Sequence, residues 1–508
     1  MLLQDIIRDC GSTGVEGRTD RSISSICCDS RKAVPSSLFI AVKGKASDGH
    51  RYIASAIRGG AVAIMYEDRD ALCSELAKFS PENDLQAKSG TVPAVDSLTL
   101  IRVGSSRHAM AIAARNFYGD PSSELTLVGV TGTNGKTTTA TLLYNMYMDR
   151  GIECGLLSTI ANYVGKEMTE TLNTTSDPIT INALLRKMVD GGCRYCFMEV
   201  SSIGLEQERV SGLHFKVAIF TNLTHDHLDY HGTFAEYLRC KKLLFDNLGK
   251  DSFALVNMDD RNGQVMVQNC AATVVTYSLR SLADHTCRVI EESVDGMQLR
   301  IDGKEVWTTL IGQHNAYNLL SIYCTAILLG MEQQQALVGL SKLQSARGRL
   351  ETIHGKKELS VVIDYAHTPD ALENVLKALR GTAPRSPLVC LFGCGGDRDR
   401  SKRPEMAAVS EKYSDIIVVT SDNSRSEKTE DIMEDIRGGF TPRGEARTLF
   451  ISDRKQAIRT AILTAPRGAT ILLAGKGHET YQIIDGEKKH FDEREIVQEV
   501  FDSMDPQQ

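Results

Sequence analysis

The sequence predicts an α/β fold of about three domains, and three observations support this prediction. The 508 residues exceed what one hydrophobic core usually serves, since a domain averages about 150 residues. Short apolar segments of strand length alternate with helical segments. A glycine-rich turn also separates a predicted strand from a predicted helix, which is typical of open parallel sheets with helices on both faces.

The elements of the first 350 residues follow from apolar periodicity and from turn residues. Polar residues over 81–97 predict a loop. After residue 120 the alternation becomes that of a parallel sheet covered by helices. We predict strands over 38–42, 125–130, 196–200 and 217–220, and helices over 52–56, 110–117 and 138–150.

A second series of strands begins after Gly348-Arg349. Together with the first series it places domain boundaries near residues 105 and 346, so we predict domains over 1–105, 106–346 and 347–508. The strands of the second series are predicted over 360–363, 388–392, 415–420, 448–451 and 470–474.

Composition narrows the class of protein. Lys and Arg number 58 against 65 Asp and Glu, and the net charge of -7 gives no broad positive field for nucleic acid or anionic lipid. The apolar runs are too short to span a bilayer, and the N-terminus carries no export signal. The 13 cysteines lack framework spacing. We therefore expect a cytoplasmic protein, a monomer, with neither nucleic acid nor membrane as partner.

The strongest local motif is the turn over 129–138, which follows a predicted strand and opens a predicted helix. Glycines let backbone N–H groups turn toward phosphate oxygens, and the helix N-terminus adds a positive dipole end. Lys136 would reach terminal phosphates, and the Thr137 hydroxyl would bind Mg²⁺. The strict pattern fails at Val130, and the alternative is a turn without a ligand.

Acidic and histidine residues follow the next two predicted strands. Glu199 ends one strand, and His227 lies just beyond the other, where both could help to hold a hard cation. Taken alone, Glu199 is better interpreted as an ordinary surface acid. His225, His227 and His231 match no zinc spacing, and we expect Cys193 and Cys196 to be buried free thiols.

Four strands of the second series lead into polar sequence at 364–370, 393–400, 421–425 and 475–479. Because the carboxyl ends of parallel strands meet at one sheet edge, a polar crevice is expected there. Arg398 and Arg425 suit carboxylates, and Glu479 suits an ammonium group, as a zwitterionic amino acid would require. A surface cluster of salt bridges is the alternative.

An ordered series of motifs along nearly the whole chain resembles the Mur ligase family. The series runs through Asp29-Ser30-Arg31, Asp48-Gly49-His50, 131–138, Thr174-Thr175, 199–202, 226–232, 315–318, Gly348-Arg349, 364–370, 393–399 and 475–479. The resemblance implies an N-terminal α/β domain for the UDP end of a substrate, a central P-loop-type ATPase domain with a mostly parallel sheet, and a C-terminal Rossmann-like domain for an amino acid.

The resemblance also implies an activity in peptidoglycan precursor synthesis. ATP would phosphorylate the D-Glu γ-carboxylate of UDP-N-acetylmuramoyl-L-alanyl-D-glutamate, and the amine of a diamino acid would attack the acyl phosphate to give an amide, ADP and phosphate. Mg²⁺ would offset the charge of the transferred phosphoryl group. An Arg at position 425 accompanies meso-2,6-diaminopimelate in this family.

Site residues carry over position by position. Lys136, Glu199, His227 and Lys241 match catalytic positions, Lys241 being the family's carbamylated lysine; Thr137, Glu199, His227 and Lys241 match metal ligands. Nucleotide contacts match Gly132, Thr133, Asn134, Gly135, Lys136, Thr137, Thr138, Asn315, Arg349 and His367. Contacts to the UDP-muramoyl dipeptide match Ser30, Thr174, Thr175, Ser201, Gln207 and Arg209, and the amino-acid pocket matches Arg398, Asp422, Asn423, Arg425, Gly475 and Glu479.

Three departures from the family pattern leave alternatives open. Ser424 stands where a Pro is usual, so we expect the loop that presents Arg425 to be less rigid. Ile203 replaces a usual His, and His225 replaces a frequent Arg, which leaves both without an assigned role. The alternatives are L-lysine or L-ornithine as the added amino acid, another amide-forming relative such as a folylpolyglutamate synthase, or a nucleotide-binding protein without turnover.

Overall fold

The computed structural model describes residues 1–44, 47–78, 97–171, 173–226, 228–293 and 295–504. Within these ranges, no helix combines the length and the apolar character that a membrane span requires. The predicted loop over 81–97 lies outside the described residues except for Ser97.

The first 118 residues form a five-stranded sheet with helices packed on it. The strand order is β1-β5-β4-β3-β2, with β1 antiparallel to β5 and the other pairs parallel. The elements are α1 (Leu3–Ile6), β1 (Ser12–Glu16), β2 (Ser25–Cys27), β3 (Ser37–Ile40), α2 (Ile53–Arg58), β4 (Ala61–Tyr66), α3 (Arg69–Lys78), β5 (Thr99–Val103) and α4 (Ser106–Phe117).

The next segment carries the elements around the glycine-rich turn. They are β6 (Thr126–Thr131), α5 (Lys136–Met148), β7 (Cys154–Leu157), β8 (Asn162–Val164), β9 (Glu167–Thr169), α6 (Pro178–Asp190), β10 (Tyr195–Glu199), α7 (Ser202–Glu206), β11 (Phe215–Phe220), α8 (Leu228–His231), α9 (Phe234–Asp246), β12 (Phe253–Asn257), α10 (Gly263–Met266), β13 (Thr273–Ser278), β14 (His285–Ser293), β15 (Gly296–Ile301), β16 (Lys304–Thr308), α11 (Gln313–Leu328) and α12 (Gln333–Lys342).

The last segment forms a six-stranded sheet in the order β17-β18-β22-β19-β20-β21, in which β17 is antiparallel and the other pairs are parallel. The elements are β17 (Glu351–His354), β18 (Ser360–Asp364), α13 (Pro369–Thr382), β19 (Leu388–Phe392), α14 (Lys402–Tyr413), β20 (Ile416–Val419), α15 (Thr429–Arg437), α16 (Pro442–Glu445), β21 (Thr448–Phe450), α17 (Arg454–Thr464), β22 (Thr470–Ala474), β23 (Tyr481–Ile484), β24 (Glu487–His490) and α18 (Glu493–Ser503).

The chain forms two compact units. The first contains Met1–Gly129 and Ile152–Lys216, and the second contains Val130–Gly151 and Val217–Gln508. In the first unit, β6, β10, β7, β8 and β9 are successive neighbours in a sheet. In the second unit, β11 to β16 are neighbours in chain order, parallel as far as β14 and antiparallel beyond it. The domain boundaries near residues 105 and 346 stay a prediction.

The four central strands β18, β22, β19 and β20 of the six-stranded sheet are buried on both faces, as their continuous apolar sequences indicate, whereas the edge strands β17 and β21 are partly exposed. Successive side chains of a strand point to opposite faces. Accordingly, Val362 and Leu472 pack in one core cluster, while Val361 and Leu473 pack in the other. The α/β fold class is confirmed, and each predicted strand overlaps an observed one. The sequence analysis predicted no counterpart for the other strands, namely β1, β2, β4, β5, β7 to β9, β12 to β17 and the hairpin β23–β24.

Replacing Leu473 by Ala tests how much this core contributes to the free energy of unfolding. Leu473 is fully buried in the central strand β22, so Leu473→Ala should lower the free energy of unfolding by about 2–5 kcal/mol through lost transfer energy and a residual cavity. Leu463 in α17 is 50% exposed, and Leu463→Ala should cost less than about 1 kcal/mol. Urea denaturation followed by circular dichroism measures both changes. Equal destabilisation by the two variants would contradict the assignment of the core.

Candidate active site

The turn between β6 and α5 has a backbone that requires glycine. Gly132 and Gly135 have φ angles of +152° and +88°. A Cβ atom at Gly132 would collide with the Thr221 hydroxyl, and one at Gly135 would lie 2.5 Å from the Asn318 side-chain oxygen. The turn therefore lies against its neighbours with no room for a side chain, and it leads directly into the N-terminus of α5 at Lys136. Such a turn exposes backbone N–H groups to an anion.

Two lysine side chains converge on one carbonyl oxygen of this turn. Lys136 Nζ donates to the carbonyl oxygens of Gly132 and Thr133, both at 2.9 Å. Lys241 Nζ, from α9, donates to the same Gly132 oxygen at 2.8 Å. Lys241 is 1% exposed. Burial lowers the pKa of Lys241 well below its usual value, and the nearby Lys136 ammonium lowers it further.

The arrangement fits a polyphosphate better than it fits a bare metal ion. Lys136 and the N-terminus of α5 place positive charge at the turn, and the buried Lys241 Nζ adds a hydrogen-bond donor to it. A protonated Lys241 would repel Mg²⁺, whereas addition of CO₂ to the neutral amine, with loss of a proton, would convert this side chain into an anion. The Thr137 hydroxyl and a carbamylated Lys241 could then contribute to a magnesium site.

Residues from the second half of the chain contact the same turn. Arg349 Nη2 donates to Thr137 Oγ1 at 3.2 Å. Asn134 Nδ2 donates to Asp370 Oδ2 at 2.7 Å, and Thr224 Oγ1 donates to the same oxygen at 3.4 Å. Burial raises the pKa of Asp370, and the hydrogen bonds from Asn134 and Thr224 oppose that rise. Both Arg349 and Asp370 belong to motifs that the sequence analysis singled out.

An aromatic cluster lies beside Arg349. Its guanidinium group is 4.7 Å from the centre of the Tyr365 ring, a cation–π distance. The His367 ring is 4.7 Å from Tyr365, and its Nδ1 donates to the Tyr365 carbonyl at 2.8 Å. Asn315, in the first turn of α11, accepts from Asn318, the residue that Gly135 contacts. The predicted nucleotide residues of the second unit are thus neighbours.

The polar ends of the six-stranded sheet form one cleft, as the sequence predicted. All six residues expected in an amino-acid pocket line it, and so do residues from the chain that follows β11. The lining comprises His225, Asp226, Asp229, Tyr365, His367, Pro369, Gly395, Arg398, Asp399, Lys402, Glu405, Asp422, Asn423, Arg425, Gly475 and Glu479.

One wall of the cleft is cationic. Arg425 has a φ of +54°, and its Nη1 donates to the Gly396 carbonyl at 2.8 Å. Arg398 Nη1 donates to its neighbour's carbonyl oxygen at 3.2 Å. Ser424 is 1% exposed, and its hydroxyl has no hydrogen-bond partner among the described residues. The loop carries hydrogen bonds on both sides of Ser424, since Gly396 N donates to Asn423 O and Ser426 Oγ donates to the Asp397 carboxylate.

An ion pair between Arg403 and Glu427 contacts the backbone of the loop that carries Arg398. Arg403 is fully buried, and its Nη2 lies 2.9 Å from Glu427 Oε1 and 3.3 Å from the Gly395 carbonyl. Glu427 accepts from the Asp397 backbone N–H at 2.6 Å. The hydrogen-bonded Arg403 lowers the pKa of Glu427 to about 2. The ion pair therefore holds the two loops that carry Arg398 and Arg425.

Asp422 and Glu479 form an acidic part of the lining, here called the acidic wall, and they surround a lysine that the sequence analysis left without a role. Lys476 Nζ lies 3.0 Å from Glu479 Oε2, 3.1 Å from Asn423 Oδ1 and 3.4 Å from Asp422 Oδ1. Gly475 has a φ of +114°, and a Cβ atom there would lie 2.9 Å from Asp422 Oδ2. The position of Lys476 inside the 475–479 motif was the available signal for its involvement.

Burial and the Lys476 charge act in opposite directions on the two acids. Burial alone would raise the pKa of Asp422, but Lys476 and Arg454 reverse this effect and the net pKa is lowered. Burial raises the pKa of Glu479, and Lys476 limits the rise.

The first unit holds a separate cluster of predicted residues. Glu199 is fully buried, and its carboxylate accepts from Thr159 N at 2.8 Å and from Thr159 Oγ1 at 3.2 Å. The interpretation of Glu199 as a surface acid is therefore wrong, because a sequence pattern does not report which strand end is covered. Thr175 Oγ1 donates to the Glu199 carbonyl at 3.0 Å and accepts from the backbone N–H of Ser201 at 2.9 Å.

The remaining predicted substrate residues extend this cluster with one exception. Thr174 Oγ1 accepts from Thr159 at 3.0 Å, and Arg209 donates to the Thr175 carbonyl and to the Gln207 side chain. Ser30 begins a short 3₁₀ turn, and among the described residues it has no hydrogen bond to this cluster.

The four predicted metal ligands do not all lie in the same unit, and one of them lies outside the described residues. Thr137 and Lys241 belong to the second unit and Glu199 to the first, while His227 lies outside the described residues. Apart from the undescribed positions, the chain contains no group of three His, Cys, Asp or Glu side chains arranged to hold a metal ion. The two positions that depart from the family pattern are also described. His225 Nε2 lies 3.3 Å from Asp399 Oδ2, and Ile203 lies in α7. Cys193 and Cys196 are buried free thiols, as predicted.

Three sequence families match the chain. Residues 22–118 match the Mur ligase family catalytic domain, residues 130–326 the Mur ligase middle domain, and residues 348–477 the Mur ligase glutamate ligase domain. The UDP-N-acetylmuramoyl-L-alanyl-D-glutamate--2,6-diaminopimelate ligase of Cytophaga hutchinsonii is 45% identical over 504 residues, which cover 99% of this chain and 100% of the relative. The enzyme of the same name from Bacteroides fragilis is 46% identical over 502 residues, 99% of each chain.

Solved structures agree with the sequence matches. A structure titled UDP-N-acetylmuramoyl-L-alanyl-D-glutamate--2,6-diaminopimelate ligase superposes with a TM-score of 0.66 at 30% identity and covers 99% of both chains. The MurF ligase of Thermotoga maritima in complex with ADP shares the fold at 18% identity, with a TM-score of 0.61 over 89% of this chain and 93% of that one. Because the similarity extends over the full length and the fold is shared, this chain belongs to the Mur ligase family.

Proposed function

We propose that this chain is an ADP-forming ligase that adds meso-2,6-diaminopimelate to UDP-N-acetylmuramoyl-L-alanyl-D-glutamate in cytoplasmic peptidoglycan precursor synthesis. The observation that carries the proposal is the charged cleft at the end of the six-stranded sheet. Arg398 and Arg425 line it together with Asp422 and Glu479, so it offers both carboxylate and ammonium partners. The names of the two full-length relatives agree with this chemistry.

The first step would activate a poor electrophile. The γ-carboxylate oxygen of D-Glu attacks the γ-phosphorus of ATP, and the bond to the bridging oxygen breaks to release ADP. Lys136 and the backbone N–H groups of the turn would hold the phosphates, while Arg349 would neutralise charge beside Thr137. Asn315 and His367 would contact the nucleotide.

The second step would form the amide. The neutral amine of the diamino acid attacks the acyl carbon, and the tetrahedral intermediate collapses with loss of phosphate and of the amine proton. Arg425 would grip the distal carboxylate with its guanidinium fork, and Glu479 would bind an ammonium group. Thr174, Thr175, Ser201, Gln207 and Arg209 would bind the UDP-muramoyl dipeptide in the first unit, with Ser30 as a further predicted contact.

Mg²⁺, when bound, would offset negative charge during phosphoryl transfer. In the second unit, Thr137 and a carbamylated Lys241 would hold it, and Glu199 and His227 stay predicted ligands. Burial of Lys241 supports carbamylation, because only a neutral amine attacks CO₂, with loss of one proton, to form the carbamate.

L-lysine or L-ornithine as the added amino acid is the second candidate, and Ser424 is the observation that favours it. A diaminopimelate carboxylate would meet Arg425, whereas the lysine ammonium would leave that guanidinium unpaired. The monomeric state, the absence of a nucleic acid partner and the cytoplasmic location stay predictions.

Replacing Lys136 by Ala tests the phosphate loop. Lys136→Ala should lower kcat at least about a hundredfold, because a preorganised positive charge on the transferred phosphoryl group is lost. The measurement is phosphate release dependent on the UDP-muramoyl dipeptide and the diamino acid. Lys250→Ala, at an exposed position, should behave like the parent protein. Unaltered turnover in Lys136→Ala would refute the role, and ATP binding without any phosphate release in the parent would favour a protein without turnover.

Replacing Lys241 by Ala tests the carbamate. Lys241→Ala should be nearly inactive, with kcat lower by at least about a hundredfold, and short-chain carboxylates such as acetate should restore part of the activity by replacing the missing anion. Lys242→Ala is the matched control on the same helix, since Lys242 is paired with Asp246. Full activity of Lys241→Ala would contradict the assignment.

A panel of diamino acids tests specificity. The parent protein should prefer meso-diaminopimelate over L-lysine and L-ornithine by at least about a hundredfold in kcat/KM, because the partly buried Arg425 guanidinium would face an ammonium group instead of a carboxylate. Arg425→Met should reduce this preference by raising the KM for meso-diaminopimelate, whereas Arg443→Met at an exposed site should not. Preference of the parent protein for lysine would overturn the Arg425 assignment.

A further inference from the structure

Lys476 occupies a buried position behind the acidic wall of the cleft. Its side chain is 0% exposed, and it does not line the cleft, whereas its three partners Asp422, Asn423 and Glu479 all do. It lies within 3.4 Å of an oxygen atom of each of them. A group with this placement can act on a bound molecule only through those partners.

Lys476 determines the orientation of the Asn423 amide. The Asn423 oxygen accepts from Lys476 at 3.1 Å and from the backbone N–H of Ile483 at 2.9 Å. Both of these groups are donors. If the amide flipped, the Asn423 NH₂ group, itself a donor, would face the Lys476 ammonium and the Ile483 N–H without an acceptor between them. Its Nδ2 is therefore directed to Glu479 Oε2, at 2.9 Å.

Among the described residues, these contacts leave one oxygen of each acid without a protein donor. Lys476 and Asn423 both reach Glu479 Oε2, and among the described residues no hydrogen bond reaches Oε1. Asp422 accepts through Oδ1, from Lys476 and from the Asn423 backbone, and Gly475 leaves space beside Oδ2. Two carboxylate oxygens at the cleft are thus available to an ammonium group.

An ammonium group would also complement the charges of the acidic wall. With both acids ionised, Asp422 and Glu479 carry two negative charges against one on Lys476, so one further cation would balance these three groups. Arg454 also acts on Asp422, but it is bonded to Glu493 at 2.8 Å. The other titratable or charged groups nearby include His367, Tyr365 and Arg425. They also include Tyr481, whose ring centre lies 5.8 Å from Lys476 Nζ.

We propose that Lys476 is a positioning residue that holds Asp422, Asn423 and Glu479 as a receptor for an ammonium group of the incoming amino acid, without touching that amino acid itself. The inference rests on the proposed function in one respect, namely that an amino acid is what the cleft receives. Without Lys476, two acids would face each other in a buried site, and like charges of that kind favour protonation of one of them.

Titration of the Glu479 carboxyl group tests the positioning role of Lys476 directly and needs no substrate. The protein is labelled with ¹³C at glutamate carboxyl groups, and the Glu479 resonance is assigned by its loss in Glu479→Gln. In Lys476→Met, Glu479 should titrate at a clearly higher pH than in the parent protein. Lys489→Met is the control, because Lys489 is 70% exposed and is paired with Glu487. The same titration curve in the parent and in Lys476→Met would overturn the proposal.

Steady-state kinetics provide a second readout. Lys476→Met should lower kcat/KM for the amino acid about tenfold or more at pH 7, since charge-assisted hydrogen bonds are lost. The loss should shrink as the pH rises, because Glu479 regains its charge, and the KM values for ATP and the UDP-muramoyl dipeptide should stay within about twofold of the parent values. A loss that is independent of pH and shared by all three substrates would indicate a merely structural role.

Two further variants keep the outcomes separate. If Lys476→Met does not fold, Lys476→Gln retains a donor without the charge and should show the same directions of change. In Glu479→Gln the pH dependence of the Lys476→Met effect should disappear, because its origin has been removed. If the parent protein releases no phosphate with any diamino acid, the proposed function fails, while the ¹³C titration still decides the role of Lys476.

Discussion

Two hydrogen bonds join the glycine-rich turn to the second half of the chain, and the arrangement of the candidate site in the second unit is built around them. Arg349 donates to Thr137 at 3.2 Å, and Asn134 donates to Asp370 at 2.7 Å. Thr137 lies in the first turn of α5, and Asp370 lies in the first turn of α13, so two helix N-termini meet at this point. The N–H groups at both termini favour negative charge, which is the property a phosphoryl-transfer site needs.

Charge is distributed differently in the two parts of this site. Around the loop, Lys136 and Arg349 concentrate positive charge, which suits a polyphosphate. The adjoining cleft is divided, with Arg398 and Arg425 on one wall and acids held by a buried lysine on the other. A zwitterionic molecule satisfies both walls at once, whereas a simple anion or cation would leave one wall unpaired. Under the proposed function, both the arrangement and the residue types of the cleft would favour an amino acid.

Much of the fold and of the site followed from local patterns. Apolar runs of strand length predicted all five parallel strands of the C-terminal sheet, because strands that are buried on both faces read as continuous apolar segments. The polar sequence after four of them predicted the cleft, because parallel strands bring their carboxyl ends to one edge. The antiparallel strands β14 to β16 escaped notice, since their exposed faces break the apolar run. Roles that came from the family resemblance, above all that of Lys241, could not be obtained from residue patterns alone.

The sequence by itself determined the class of fold, the glycine turn and the residue types gathered at the strand ends, because these depend on backbone sterics and on the period of apolar side chains. Tertiary structure alone decided which of the charged groups are buried. Glu199 and Lys476 are charged residues of the kind usually found at the surface, yet both are buried. Glu199 accepts a hydrogen bond from Thr159, 40 residues away, and Lys476 donates to Asp422, 54 residues away. The physical reason is that the cost of burying a charge is offset by hydrogen bonds from distant segments, and those bonds exist only once the chain has folded.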